Sequence, residues 1–448
     1  MRPVLLVGAL SLWTASLSCG AASSPSTTRQ VLPGFVTTNG RQFELDGQPF
    51  VFIGANSYWL PLLTSQADVD ATFQSMKEAG VKVLRTWGFN AINETELEGA
   101  LETSLTYYQV WNSSQWILNE GPQGLQRLDN VIASAATHDI KVIVAFTNNW
   151  VGYGGSDLYV NWIAGAGQPH DVFFTDRRII ASYQSYVETI VERYKNSSAI
   201  FAWELMNEAR CLSDTLPAGP ACVPGSNTLR TWYEQQSNFV RSLDPNHLIT
   251  TGGEGHFFWK HPLKYWFNHT LVAYGSVTRL PLIVERAAGE DFNRDMLLPN
   301  IDFGTYASPL SPILVCLVGL PMMFVLSYFR YDRYSELDYP GSNFTIEQWG
   351  LEWIDQHIHA ANKANKPVIL EEFGVGGLQN KTTIYPTIMP WQWGQLGLTE
   401  DGGNRVIKYA DAIVDGASPN DGNTFYPNQT NVWDVFTRAA KIQNGRSG

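Results

Sequence analysis

Ala199-Ile-Phe-Ala-Trp-Glu-Leu-Met-Asn-Glu-Ala-Arg-Cys211 is the stretch that decides the fold. Its first half is an uninterrupted apolar run of the kind carried by a strand buried on both faces. It then breaks into Asn207-Glu208, polar groups too costly to bury without a partner or a task. An acid at the carboxyl end of a buried strand stands where a parallel barrel keeps its chemistry.

A second stretch of the same grammar lies downstream. Lys366-Pro-Val-Ile-Leu-Glu-Glu-Phe-Gly374 is a short apolar strand that again ends in acid, at Glu371 and Glu372. Two carboxyl groups from two strand ends make a pair, and a pair held about 5–5.5 Å apart across a sugar ring is the apparatus of a retaining glycosidase. Side chains alternate across a strand, so Glu371 and Glu372 are not both expected to face the barrel mouth. Strand geometry alone does not choose between them.

Working outward, strand and helix alternate, the signature of a parallel sheet with helical crossovers. Two turn dipeptides, Asn39-Gly40 and Asp46-Gly47, mark a hairpin that is expected to cover the amino-terminal end of the barrel. Strands are expected at residues 50–55, 81–86, 141–146, in the opening stretch, and at 247–250, 300–304, 367–370 and 387–391. Helices are expected at 65–79, 123–138, 175–194, 227–243 and 353–365. The fold class is α/β, a (β/α)8 TIM barrel with a short hairpin and long βα loops, and residues 31–448 form a single catalytic domain.

The chain has 448 residues and a net charge of -12, which argues against nucleic acid or an anionic membrane surface as partner. Charged residues make up only 16% while 16 Trp are present, so ring faces are available to pack against the apolar face of a pyranose. The histidines are scattered without ligand spacing, so neither a metal nor a cofactor is expected.

Residues 1–21 combine a basic start, an apolar core and small residues before a cleavage point, which reads as a secretory signal peptide. Asn93, Asn112, Asn196, Asn268, Asn343, Asn380 and Asn428 begin Asn-x-Ser/Thr sequons, as in a secreted, extracellular glycoprotein. Cys211 and Cys222 bracket a loop with two prolines and, in an oxidising compartment, are expected to pair, a bond of roughly 2–4 kcal/mol on the loop-entropy model.

Several ordered motifs then define a resemblance. They are Asn56-Ser-Tyr-Trp-Leu-Pro61, Leu84-Arg-Thr-Trp-Gly-Phe-Asn90, Leu125-Gln-Arg-Leu-Asp129, Phe201-Ala-Trp-Glu-Leu-Met-Asn-Glu208, Leu370-Glu-Glu-Phe-Gly374 and Trp391-Gln-Trp-Gly394. With them the chain resembles the endo-β-1,4-mannanases of glycoside hydrolase family 5, of the secreted fungal type, from about residue 35 to the carboxyl terminus. The resemblance implies Glu208 as general acid/base and Glu372, the acid directly before the aromatic-Gly pair, as nucleophile. It implies Arg85, Asn207 and Tyr339 as supporting groups, with Asn207 bonding the substrate 2-hydroxyl, and Trp391 as the platform under the sugar. Trp87, Asn148, Trp150 and Glu254 stand at rim positions, as subsite contacts or as framework. The substrate implied is a β-mannan, cleaved by a monomer; another β-1,4-glycanase of the same clan, such as an endoglucanase, is the alternative.

Two departures stand out. Ala209 replaces the Pro that usually follows Asn-Glu. The family motif at the end of strand six also lacks its His here, and Tyr339 matches the family Tyr only through the following Pro. Atypical insertions run through about 268–286 and 307–338 and read as translated non-coding sequence. Residues 310–329 are apolar enough to cross a bilayer. They interrupt a barrel strand and contain Pro312 and Pro321, so no membrane partner is expected, and the missing His points to an activity-impaired member as a further alternative.

Overall fold

A computed structural model describes residues 32–213, 215–222, 226–258, 263–267, 270–274, 289–307, 346–372, 389–400, 413–420 and 423–446. Residues Val31–Gly448 form one compact unit. Its centre is a parallel sheet in the spatial order Leu248–Thr250, Ile200–Glu204, Lys141–Ala145, Val83–Trp87, Gly54–Asn56. A second parallel pair joins Gly304–Ala307 to Val368–Glu372. The two are linked where the Asp302 amide donates to the Ile249 carbonyl at 2.9 Å and Thr250 Oγ1 donates to Thr305 Oγ1 at 3.4 Å.

The wall positions converge on one cluster. Phe52, Val83, Ile143, Phe201, Leu248, Phe303, Ile369 and Met389, one from each successive wall position, meet in a single buried core with Val36 and Phe43 of the amino-terminal hairpin. This is the filled interior of a (β/α)8 barrel, a packed core rather than a pore. Phe43 lies 5.1 Å from Phe201 and 5.3 Å from Phe303, ring centre to ring centre, so the hairpin Val36–Asn39/Gln42–Leu45 plugs the amino-terminal end. With the floor sealed by aromatics, polar strand ends collect at the opposite mouth.

The crossover helices follow their local chemistry. Gln66–Glu78 begins where Ser65 accepts from the Asp68 amide and stops at Ala79-Gly80. Arg177–Tyr194 begins where Asp176 accepts from the Arg178 amide at 2.8 Å, and it buries Ile179, Tyr183, Tyr186, Val187, Ile190 and Tyr194 along one face. That face also carries two tethers: Tyr183 donates to the Leu205 carbonyl and Tyr186 to the Gly88 carbonyl, each at 2.6 Å. Packing therefore fixes the segments that follow the second and fourth strands.

The boundaries differ from expectation in places. The sixth strand is Gly304–Ala307, not 300–304, because pairing starts only where the Gly304 amide meets the Pro367 carbonyl. The helix expected at 353–365 is Ile346–Ala364, and Val172–Thr175 is a separate turn broken from its neighbour by the extended backbone of Asp176. Residues 50–53 lie outside the first strand, which is Gly54–Asn56. Of the strand expected at 387–391, the described residues 389–391 keep one bridge residue, Pro390, which has no amide hydrogen to donate but whose carbonyl accepts from the Asn56 backbone amide at 3.4 Å; residues 387 and 388 lie outside the described residues. There the seam is stitched by Asn56, whose amide group donates to the carbonyls of Glu371 at 2.8 Å and Met389 at 3.3 Å. An additional sheet that the sequence reading missed, Ala91–Asn93, Gln109–Trp111 and Trp116–Leu118, stands in the long connection after the second strand.

The passage read as an insertion at 268–286 contributes Thr270–Tyr274, paired antiparallel with Leu263–Phe267; its remainder, and 308–338 with the apolar run 310–329, lie outside the described residues. Among the described residues, no helix is long and apolar enough to cross a membrane.

Candidate active site

Arg85, on the strand Val83–Trp87, is the hub of the barrel mouth. It is almost wholly buried, and all five of its N–H bonds are committed. Nε and Nη2 form a fork on Glu204, both at 2.6 Å; Nη2 also donates to Asn207 Oδ1 at 2.7 Å; Nη1 donates to Asn56 Oδ1 at 3.3 Å and to Glu372. One guanidinium thus ties together the ends of the first, second, fourth and seventh strands.

Asn207 is fixed from both sides. Its Oδ1 receives Arg85, and its Nδ2 donates to Asn148 Oδ1 at 2.8 Å, which leaves one amide hydrogen to offer elsewhere. The neighbouring Glu208 adopts a left-handed backbone, φ 57°, and its amide donates to the Gly252 carbonyl at 2.8 Å. Gly252 is itself left-handed, φ 73°, and a Cβ there would strike the Met206 carbonyl and the Glu204 side chain, so only glycine supports this turn. Cys211 and Cys222 are joined in a disulfide just beyond it.

Burial, then the charges of Glu372 and Glu254, push the Glu208 carboxyl well above the usual carboxylate range. Arg210 and the indole of Trp150, which donates to Glu208 Oε2 at 2.6 Å, pull the other way. The guanidinium of Arg210 pairs with Glu254 and lies over the Trp150 ring, 5.2 Å from its centre. Burial would raise Glu254, yet Arg210 and His256 hold it down to about 2, so it remains a fixed negative charge beside Glu208.

An aromatic cluster adjoins Arg85. Trp391, half-buried, stacks on Tyr58 with ring centres 5.5 Å apart and stands 5.9 Å from Trp87, over which Arg85 sits at 4.9 Å. Because Arg85 both binds Glu372 and sits over Trp87, the acids and this flat apolar surface share one mouth.

Strand alternation does not separate Glu371 from Glu372. Tyr306 pairs with Leu370 and Ala307 with Glu372, leaving Glu371 as the extra residue of a β-bulge, and both acids reach Arg85. Ala307, in register with Glu372, ends the sixth strand. Tyr339 lies outside the described residues, as do Asn268, Asn343 and Asn380; Asn196 and Asn428 are exposed, and Asn93 and Asn112 half-buried. The sequence reading gave no role to Glu204, Asn56, Tyr58 or Arg210. Glu204 carried a usable signal, an acid inside an apolar strand two positions beyond Ala202.

The sequence matches the family described as Cellulase (glycosyl hydrolase family 5) over residues 43–389. The chain belongs to glycosyl hydrolase family 5. Among its family 5 relatives, "Probable mannan endo-1,4-beta-mannosidase A" of Aspergillus flavus is 34% identical over 433 residues, covering 95% of this chain and 94% of that protein. "Mannan endo-1,4-beta-mannosidase A" of Emericella nidulans is 34% identical, covering 91% and 88%. In three dimensions the endo-1,4-beta-mannanase of Rhizomucor miehei superposes with a TM-score of 0.67 at 27% identity, covering 92% of this chain and 99% of that one. The endo-beta-1,4-mannanase of Thermotoga petrophila gives 0.65 at 27% identity, covering 88% and 77%.

Proposed function

We propose that the protein is a secreted endo-β-1,4-mannanase that cleaves internal β-1,4-mannosidic bonds with retention of configuration. The observation that carries this reading is the Arg85 bridge. One guanidinium grips Glu372 and Asn207, the residue before Glu208, while the charge of Glu372 raises Glu208. Two acids in such dissimilar surroundings divide acid and nucleophile roles between them.

Glu372, held against Arg85, attacks the anomeric carbon and forms a glycosyl ester. Glu208, kept protonated by burial and by its acidic neighbours, gives its proton to the departing glycosidic oxygen. Glu208, now ionised, removes a proton from water, which attacks the same carbon and releases Glu372 as carboxylate. Asn207 offers its remaining amide hydrogen to the sugar 2-hydroxyl, and Trp391 supports the ring. Trp87, Trp150, Asn148 and Glu254 shape the subsites, Asn148 and Glu254 through Asn207 and Arg210. No metal or cofactor enters these steps.

Export is supported by the leader-like residues 1–21, by sequons at surface positions and by the Cys211–Cys222 bond. The family description as a cellulase favours, as a second reading, an endoglucanase with the same acid pair. Purified protein incubated with galactomannan and with carboxymethylcellulose separates the two. Faster reducing-sugar release from galactomannan is expected, and a preference for carboxymethylcellulose would replace the mannanase reading.

A further inference from the structure

Glu371 sits at the same buried crossing as the proposed nucleophile and has no part in the steps above. The Arg85 donor count defines its state. Glu371 Oε1 comes within 3.5 Å of Arg85 Nε, but the single hydrogen on Nε goes to Glu204 Oε2 at 2.6 Å. The other four hydrogens go to Glu204, Asn207, Asn56 and Glu372. Glu371 Oε1 is left with no hydrogen-bond partner in a residue that is 1% exposed. Three carboxyl groups, Glu204, Glu371 and Glu372, therefore face one cation at a fully buried crossing. If all three were ionised, two negative charges would be uncompensated, and one retained proton removes much of that cost. Glu204 and Glu372 receive the guanidinium hydrogens, so the proton belongs on Glu371.

We propose that Glu371 is a resident protonated acid, a positioning residue whose O–H donates to Glu204 and keeps the Arg85 fork seated beneath Glu372. The β-bulge is what makes this arrangement possible, since it turns two consecutive acids towards one guanidinium. Burial first, then the charge of Glu204, push the Glu371 carboxyl well above the usual range; the charge of Glu372 and the hydrogen bond with Glu204 act in the same direction, and only Arg85 opposes them. Among the described residues, the charged groups that act most strongly on Glu371 are Glu204 from the fourth strand, Arg85 from the second and Glu372 from its own.

The inference rests on Glu372 being the nucleophile. Its test uses Glu371→Leu and Glu371→Gln in the full chain, with kcat, KM and the pH profile measured on galactomannan. Glu371→Leu removes the donor and lowers kcat at least tenfold with little change in KM, while Glu371→Gln keeps a neutral donor and restores most of that loss without moving the acidic limb. The infrared difference spectrum of wild type minus Glu371→Gln at pH 7 contains the carbonyl band of a protonated carboxyl group. A Glu371→Leu enzyme with wild-type kcat, a Glu371→Gln enzyme as impaired as the Leu variant, or absence of that band overturns the proposal. If Glu371→Leu does not fold, the infrared measurement still decides. Failure of the underlying reading looks different: azide would restore turnover to Glu371→Ala rather than to Glu372→Ala.

Discussion

Arg85 holds Glu372 and Asn207 from the two ends of one guanidinium, Nη1 on the carboxylate and Nη2 on the amide oxygen at 2.7 Å. A planar fork with five donors can do this, and an ammonium with three rotating donors cannot. Arg85→Lys is therefore expected to lower kcat on mannan by at least ~100-fold, because the nucleophile and the amide offered to the sugar 2-hydroxyl both lose their positioning. Steady-state kinetics with circular-dichroism melts would separate this from unfolding, and a variant with near-wild-type kcat would contradict it.

Removing either acid should end turnover by its own route. Glu208→Gln is expected to reduce kcat about 10³-fold, within the range for loss of general acid–base catalysis. Glu372→Ala should have no measurable turnover until azide is supplied, and should then form the glycosyl azide with inverted configuration, readable by proton NMR. An active Glu372→Ala enzyme without azide would show that another group forms the ester.

The alkaline limb of kcat/KM reports Glu208, which must be protonated to serve as acid. Its raised pKa preserves activity as pH climbs, and activity falls as pH passes through that value. Trp150→Phe removes a hydrogen bond that favours the ionised form, so the limb should move upward. Glu254→Gln removes a charge that raises Glu208 and frees Arg210, so the limb should move downward. Shifts of the same sign in both variants would refute this assignment of the limb.

Asp295 gives a stability prediction away from the site. Burial pushes its carboxyl up to about 7, so the folded protein keeps this proton where the unfolded chain has released it. That contribution is fully present below about pH 4 and is lost as pH rises towards 7. Asp295→Asn should therefore gain stability relative to wild type between pH 4 and 8, on the order of 2–4 kcal/mol at most. Thermal melts across that range would show it, and a constant difference between the two proteins would count against it.

The missing strand-six histidine predicts weakened turnover in the chain as written. Reducing-sugar release from galactomannan should rise when residues 307–338 are replaced by the family's short His-containing connection. Equal turnover of the two proteins would show that the position is dispensable, and transcript sequencing that finds the passage uninterrupted would exclude a retained non-coding segment.

Much of this was legible in the chain. The opening stretch announces both its strand and its terminal acid because burial on two faces demands apolar residues and makes each polar exception conspicuous. The helix Arg177–Tyr194 and its buried face follow from periodicity alone. The register of Glu371 and Glu372 was not legible, because a bulge is a property of two paired strands and the alternation rule is written for one. Glu204 went without a role for a related reason: its partner Arg85 is 119 residues away, and nothing local specifies the pairing. The sheet formed by Ala91–Asn93, Gln109–Trp111 and Trp116–Leu118 escaped because three-residue strands leave too short a pattern.

Asn56 joins two jobs that most proteins keep apart. Its side-chain nitrogen draws the seventh and eighth wall segments together, and its side-chain oxygen receives the arginine on which turnover depends. Selection for heat resistance and selection for speed would thus converge at this codon, and a library randomised there should return asparagine under either pressure.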